Sequence, residues 1–380
     1  MRGRRFGTIR QLPSGRFQAG WRGPDRHMHN APDTFERRSQ AEAWLSRVQG
    51  ELAEGNYVDE RRSALSLAAF IEEWRPTVVD LRASTLVRDM GYVDRYIVPE
   101  LGHLPLAELE FLTVAAWVAR LRARQGDAEL APATIVKAAQ ILAKICDVAV
   151  DAGRMRTNHV RKVKLPRIER SEMRILTDAE IVKLADAIDG RYRALVIVGC
   201  HTGLRFGELA ALTVGDVDLI RRRVTVMRTV TDLGELHVGN VKTSAGRRVV
   251  PLDDDALEAL AQAMPAPHET PDGTIVAPHA DDLIFEAPNG GYIRLNGWRS
   301  RFWAPAVKAA GLDGFRIHDM RHTAISLWVA ASTDPVKIAS YAGHRSVVTV
   351  LDRYGHLRPD HFEEHLANIN AYNERQRRQL

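Results

Sequence analysis

Residues 317 to 354 read IHDMRHTAISLWVAASTDPVKIASYAGHRSVVTVLDRY, and this stretch decides how the rest of the chain is read. Its apolar residues recur at helical spacing, yet His318, Arg321, His322, His344 and Tyr354 stand among them. His318 and Arg321 lie three apart near a helix start and so share a face. His344 follows Gly343 at the junction of two helices, and Tyr354 comes ten residues later. Far upstream, His201-Thr202-Gly203-Leu204-Arg205-Phe206-Gly207-Glu208-Leu209 supplies a second arginine at a helix start. Together these residues offer a phenol that can attack and several donors that can hold a phosphate.

Working outward, an apolar helix over Tyr192 to Cys200 precedes Arg205, and strand-like runs follow at Arg223 to Val230, Leu236 to Lys242 and Arg247 to Leu252. Lys242 therefore sits at a strand end beside the turn Ser244-Ala245-Gly246. Pro265 to Asp282, rich in Pro, His and Asp, reads as a surface insertion, and Asn296 is placed to cap a helix through Trp303 and Val307. Thr177-Asp178-Ala179-Glu180 is a capping box that opens this last domain, 176–380. Beyond Tyr354 a helix from Pro359 would carry Phe362, Leu366 and Ile369 on one side.

Upstream of it, Arg154 to Arg170 is strongly basic, and 164–175 is expected to be an extended cationic linker able to lie along a phosphate backbone. Ser63 to Val163 is helical throughout. Stripes at Leu67, Phe70, Ile71 and Trp74, at Leu86, Met90, Val93 and Ile97, at Val114, Trp117, Val118 and Leu121, and at Ile135, Ile141, Leu142, Ile145 and Val148 predict a four-helix bundle, 63–163, with Ser84 and Thr113 as caps. Residues 1–57 form a unit of their own. Arg5 to Gln11 and Arg16 to Arg22 flank Pro13-Ser14-Gly15 as a hairpin, a third strand is expected near His27 to Phe35, and Ser39-Gln40-Ala41-Glu42 reads as the cap of a helix presenting Trp44, Leu45, Val48 and Leu52. Arg4, Arg5, Arg10, Arg16 and Arg22 are left to line the exposed face, and such a sheet fits a major groove. The fold class is thus multidomain α+β: a small three-stranded sheet plus helix, a four-helix bundle, and a mainly α domain with a small antiparallel sheet.

With 380 residues and 45% apolar content, two or three cores are expected. The net charge of +5 matters less than its clustering: seven Arg against one acid in Met1 to Asn30, and seven Lys or Arg against one in Gly153 to Ser171. Two separate basic stretches point to a long anionic partner. Arg161, Lys162 and Lys164 are the candidate contacts in the second. Cys146 and Cys200 lie in apolar helical patterns and read as buried free thiols, consistent with a reducing cytoplasm. No signal-like run and no apolar stretch of about 18 residues suggests a membrane.

The order of the chemical residues resembles the phage-integrase family of tyrosine recombinases. That family's T-G-x-R-x-x-E-L arginine, hairpin Lys, H-x-x-R-H, G-H and following Tyr are matched by Arg205, Lys242, His318 to His322, Gly343-His344 and Tyr354. The N-terminal sheet resembles the arm-site-binding domain of integrases, and the bundle resembles their core-binding domain. The resemblance implies a site-specific recombinase acting on double-stranded DNA attachment sites, with a DNA-bending factor or excisionase as further partners. If Tyr354 attacks a phosphodiester, Arg205 and Arg321 offer planar forks to the equatorial oxygens, His344 adds a hydrogen bond, and His318 assists transfer of the phenolic proton. By resemblance Lys242 protonates the departing 5′ oxygen and leaves a 3′-phosphotyrosyl link. Glu208 reads as a structural acid orienting Arg205. Exchange of one ester for another needs no cofactor and no metal. The tail after Tyr354 either caps its own domain or, as the resemblance implies, docks on a neighbouring protomer in a tetramer on DNA.

Other readings compete. His318 and His322 have the spacing of a zinc-binding helix pair, but Asp319 replaces the required Glu and Arg321 would face the metal. Asp253-Asp254-Asp255 and Asp281-Asp282 could be imagined as a two-metal nuclease site, but they sit at a helix start and in an insertion. A non-catalytic DNA-binding protein explains the basic stretches alone. A type IB topoisomerase-like relaxing enzyme, or a chromosome or plasmid resolvase, would share the chemistry.

Overall fold

The computed structural model describes residues 6–23, 26–54, 57, 63–79, 81, 83–123, 130–169, 173–232, 234–240, 247–269, 274–344, 346–357 and 375. Arg4, Arg5, Lys242 and the terminal helix expected from Pro359 lie outside them, apart from Arg375. The chain divides into two compact units, Met1–Arg170 and Ser171–Leu380.

The first unit begins with β1 (Thr8–Gln11), β2 (Phe17–Arg22) and β3 (Met28–Asn30), paired antiparallel in that order. Ile9 faces Ala19 and Arg10 faces Gln18 across the hairpin. Because side chains alternate along a strand, Phe17, Ala19 and Trp21 point to the core shared with helix α1 (Arg38–Ala53), while Arg10 and Arg22 are exposed on the opposite face. Arg16 at the turn donates to Thr34 Oγ1 at 2.8 Å. The third strand is shorter than expected. The helix also starts earlier: Arg37 is its N-cap, and Gln40 Oε1 accepts from the Arg37 backbone N at 3.0 Å, so Ser39 lies inside it.

A separate core is built by α2 (Leu67–Trp74), α3 (Ala83–Tyr92), its continuation α4 (Val98–Leu101), α5 (Phe111–Ala123) and α6 (Pro132–Asp151). Trp117 is fully buried and donates its indole N–H to Tyr96 O at 3.0 Å, which removes the cost of burying that donor. Each fully buried Leu, Ile or Phe contributes about 1.5–3 kcal/mol relative to exposure. Val148, expected on the core stripe, is 37% exposed, and Ala149 and Cys146 take the buried positions. Ser84 and Thr113 fall within helices instead of capping them. Both cysteines are free and buried, and burial pushes the Cys146 thiol up to about 12.

The basic stretch after α6 is only partly extended. Met155, Val160 and Val163 are buried in the bundle core, and Asn158 Oδ1 accepts from Val160 N at 3.0 Å to cap a short turn. Arg154 pairs with Glu73 at 2.8 Å, and Arg161 pairs with Asp147, whose carboxyl it holds below the usual range. Lys162 and Lys164 are exposed.

The second unit opens at α7 (Asp178–Ala187), where the predicted box forms: Glu180 N donates to Thr177 Oγ1 at 3.3 Å, and Thr177 N donates to Glu180 Oε2 at 3.0 Å. Helix α8 (Arg193–Thr202) and α9 (Phe206–Leu209) follow. The strands form two small sheets: β4 (Val217–Asp218), β5 (Arg223–Val226) and β8 (Arg248–Pro251) in one, β6 (Arg228–Asp232) and β7 (Leu236–Asn240) in the other. The run expected to be one strand is therefore broken at Met227. Helix α10 (Asp254–Ala263) is capped by Asp253, whose Oδ1 accepts from Ala256 N at 3.0 Å. Within the expected insertion, β9 (His268–Glu269) pairs with β10 (Ile275–Val276), and its end is anchored because Val214 N donates to Asp282 O at 3.0 Å. Helices α11 (Leu295–Trp298) and α12 (Ala304–Ala309) place Trp298 and Trp303 in the main core; Asn296 is inside α11, not its cap. The chain then forms α13 (Ile317–Ala330), α14 (Pro335–Ala342) and α15 (Val348–Tyr354). No described helix is long and apolar enough to cross a membrane.

Candidate active site

Two helices of the second unit end on glycines in the left-handed region, Gly203 after α8 (φ 60°) and Gly343 after α14 (φ 67°). A residue with a Cβ is strained there, and glycine lets the chain turn sharply while the last carbonyls stay unpaired within the helix. Those carbonyls carry the negative end of the helix dipole, and guanidinium groups satisfy them. Arg321, buried on α13, donates from Nη1 to Gly203 O at 2.7 Å and from Nη2 to Ala342 O. Arg248 donates from Nε to Tyr341 O at 2.6 Å, and Arg205 from Nη2 to Gly343 O at 3.4 Å.

Glu208 ties two of these cations together. It accepts from Arg205 Nη1 at 2.9 Å and from both Arg248 nitrogens at 3.0 and 2.7 Å. Burial alone would raise the Glu208 pKa, but Arg248 and then Arg205 outweigh it and hold the carboxyl below its ordinary range. Three guanidinium cations thus converge with one carboxylate among them. Burial, then the Arg205 and Arg248 charges, brings the Arg321 pKa down to about 9. Such an excess of positive charge, two of its cations buried and Arg205 reaching the surface, favours an entering anion.

The surface opening of this cluster is a pocket of about 800 Å³, lined among others by Arg205, Phe206, Trp303, Phe315, His318 and Arg321. His318 stands at its exposed rim, with partial desolvation and then Arg321 lowering its pKa. His344 is half-buried; burial, then Arg321 and Arg205, brings its pKa down to about 4. Its Nδ1 is buried and, among the described residues, has no hydrogen-bond partner, a costly condition that a ligand oxygen would relieve when that nitrogen carries the proton.

Tyr354 closes α15 with its ring 1% exposed among Ile325, Val329, Ile338 and Val350, and it does not line the large pocket. Its hydroxyl bonds to His322 Nδ1. His318, expected beside the hydroxyl, instead meets His322 edge-on at 4.9 Å between ring centres. The charge of Arg321 still reaches Tyr354, though burial is stronger and raises the phenol to about 12.

The structure therefore brings Arg205, Glu208, Arg321 and His344 together, with His318 at the rim and Tyr354 reached through His322. Sequence reading missed Arg248, whose only local signal was its place beside Arg247 in a predicted strand, and gave His322 no part in the recombinase chemistry. Among the described residues no group of three His, Cys, Asp or Glu side chains stands where it could hold a metal.

The mixed fold and a cationic pocket beside a buried tyrosine define a protein built to hold an anion at the end of two helices. Solved structures share the architecture. The Tn1549 transposon integrase in complex with a circular intermediate DNA matches with a TM-score of 0.64 at 18% identity, over 81% of this chain and 99% of that one. A lambda integrase tetramer bound to a Holliday junction matches with a TM-score of 0.57 at 17% identity, over 89% of this chain and 95% of that one. The putative prophage phiRv2 integrase of Mycobacterium tuberculosis is 25% identical over 379 residues, 98% of this chain and 97% of that protein. The pattern of the phage integrase N-terminal domain matches residues 5–54, and that of the phage integrase family matches residues 174–361; the chain belongs to that family.

Proposed function

We propose that this site-specific recombinase breaks and rejoins DNA through Tyr354, forming a 3′-phosphotyrosyl intermediate that integrates or excises a mobile element. The observation that carries the reading is the meeting of three guanidinium groups at one site: Arg205 and Arg248 share the Glu208 carboxylate, and Arg321, seated on the carbonyls of Gly203 and Ala342, stands one helix position before His322, which bonds to the Tyr354 hydroxyl. When Tyr354 Oη bonds to phosphorus and the P–O5′ bond breaks, charge gathers on the equatorial oxygens. The uncommitted donors of Arg205 and Arg321 neutralise it, and His344 Nδ1 donates if that tautomer is present. Glu208 and Arg248 keep Arg205 in place. Lys242, outside the described residues, is read as the acid for the departing oxygen. The ester retains the energy of the broken bond, so the scheme calls for no cofactor.

The partners are double-stranded attachment sites. Residues 1–57 are read as the arm-type DNA-binding domain, 63–163 as the core-binding domain, 164–175 as the linker and 176–380 as the catalytic domain. Arg10 and Arg22 on the outer sheet face support the first assignment. Assembly into a tetramer through the tail belongs to the same reading.

A nicked duplex carrying a candidate site tests it. The native protein should stay covalently attached through Tyr354, with or without EDTA, and Tyr354→Phe should bind without attaching. Attachment by the Phe variant would remove the assignment. Relaxation of plasmids lacking any site would favour the topoisomerase-like alternative.

A further inference from the structure

His322 has no part in the scheme above, yet it is the residue the Tyr354 hydroxyl touches. Helix α13 sets His318, Arg321, His322, Ile325 and Val329 along one stripe. Its first turn faces the pocket and its later turns face the apolar crevice. His322, 6% exposed, sits where the two meet, with its Nδ1 on the hydroxyl and its ring centre 5.9 Å from that of Tyr354. The tyrosine ring is held by Ile325 and Val329 from α13 and Val350 from its own helix, so packing fixes which partner the hydroxyl meets. His318 points to the pocket, and among the described residues no hydrogen bond joins it to that hydroxyl.

We propose that His322 is a catalytic residue that orients the Tyr354 hydroxyl and accepts its proton as the phosphotyrosyl bond forms; this rests on the reading of Tyr354 as the nucleophile. At rest the proton stays on the phenol. Burial and then His318 bring His322 down to about 4, while burial raises Tyr354 to about 12. The charged and titratable groups that face His322 are His318, Asp319 and Arg316 from α13 and its cap, and Arg353 and Tyr354 from α15. A phosphodiester drawn in by Arg205 and Arg321 adds negative charge, which favours a protonated imidazole. In cleavage the Oη–P bond forms, the P–O5′ bond breaks, the phenolic proton passes to His322 Nδ1, and the 5′ oxygen is protonated separately, by Lys242 in the present reading. In rejoining, a 5′-hydroxyl attacks phosphorus and gives up its proton to the group that protonated it in cleavage, Lys242, while the Oη–P bond breaks and His322 returns its proton to Oη.

Single-turnover attachment to the nicked duplex tests this. His322→Ala should slow attachment about 100-fold or more, as loss of a general base does, with DNA binding unchanged. Placing 2,3-difluorotyrosine at position 354, whose phenol is more acidic, should restore at least tenfold in the variant and far less in the native background. His322→Asn keeps a hydrogen-bond acceptor in place and serves the same comparison if the Ala variant does not fold; it should also be slow and also be rescued. Attachment within threefold of native, or equal acceleration by the fluorinated residue in both backgrounds, overturns the proposal. Attachment by Tyr354→Phe overturns the prior reading of the nucleophile instead.

Discussion

Arg248 grips Glu208 through both ends of its guanidinium, at 3.0 and 2.7 Å, with each side chain 3% exposed. The pair joins strand β8 to helix α9, and Arg248 Nε reaches on to the end of α14 at Tyr341 O. It is therefore a brace between three elements, with Arg205 as its working end. Removing one member strands the other charge in the interior, a loss that typically costs about 3–5 kcal/mol. Arg248→Ala is expected to lower the unfolding free energy of the second unit by that amount in a denaturant titration. A loss under about 1 kcal/mol would mean the brace carries no load.

Arg321→Lys tests the two-carbonyl seat. An ammonium cannot reach Gly203 O and Ala342 O in one plane while still presenting a fork to a phosphate. Attachment to the nicked duplex should fall by about 10²–10³-fold, the usual effect of losing one preorganised donor, while the affinity for the uncleaved site changes little. Equal loss of both would assign Arg321 to binding alone.

Acidification acts through His344 and His322. Their folded pKa values, about 4, lie below the ordinary imidazole value, so between about 6.5 and 4 the unfolded chain binds more protons than the folded one. The sign follows: stability is unaffected above about 6.5, falls as pH drops through that window, and stops falling from this cause below about 4. Melting temperature measured against pH should show this slope, and His344→Asn should flatten it. An unchanged slope in the variant would show that His344 does not contribute.

Arg10 and Arg22 share the outer face of the first sheet, and neither contributes to the core behind it. Replacing both with Ala should leave the fold intact and weaken binding to the arm-type site. If each meets a phosphate, the slope of log affinity against log salt should drop by about 0.9 per arginine. A slope that does not move would place the DNA on another surface.

Much of this was legible in local patterns. Thr177-Asp178-Ala179-Glu180 formed its box because capping involves only residues three apart. The hairpin around Pro13-Ser14-Gly15 formed because turn chemistry is local. Where local signals competed, the reading slipped: Arg37 took the cap expected of Ser39, and Val148 lost its core place to smaller neighbours. Part of the basic stretch Arg154 to Arg170 folded onto the bundle because Met155, Val160 and Val163 supply apolar anchors within it.

By itself the sequence determined a set of candidate reactive groups and their order along the chain: Arg205, Lys242, His318, Arg321, His344 and Tyr354. Only the tertiary structure decided which of them touch. Arg205 meets Gly343 across 138 positions, Glu208 meets Arg248 across 40, and Tyr354 meets His322 across 32. Periodicity fixes the face a side chain occupies on its own helix, whereas partners on other elements follow from how those faces pack. For that reason His318 and His322, four residues apart on one helix, end with different neighbours: one at an open cationic pocket, the other on a buried phenol.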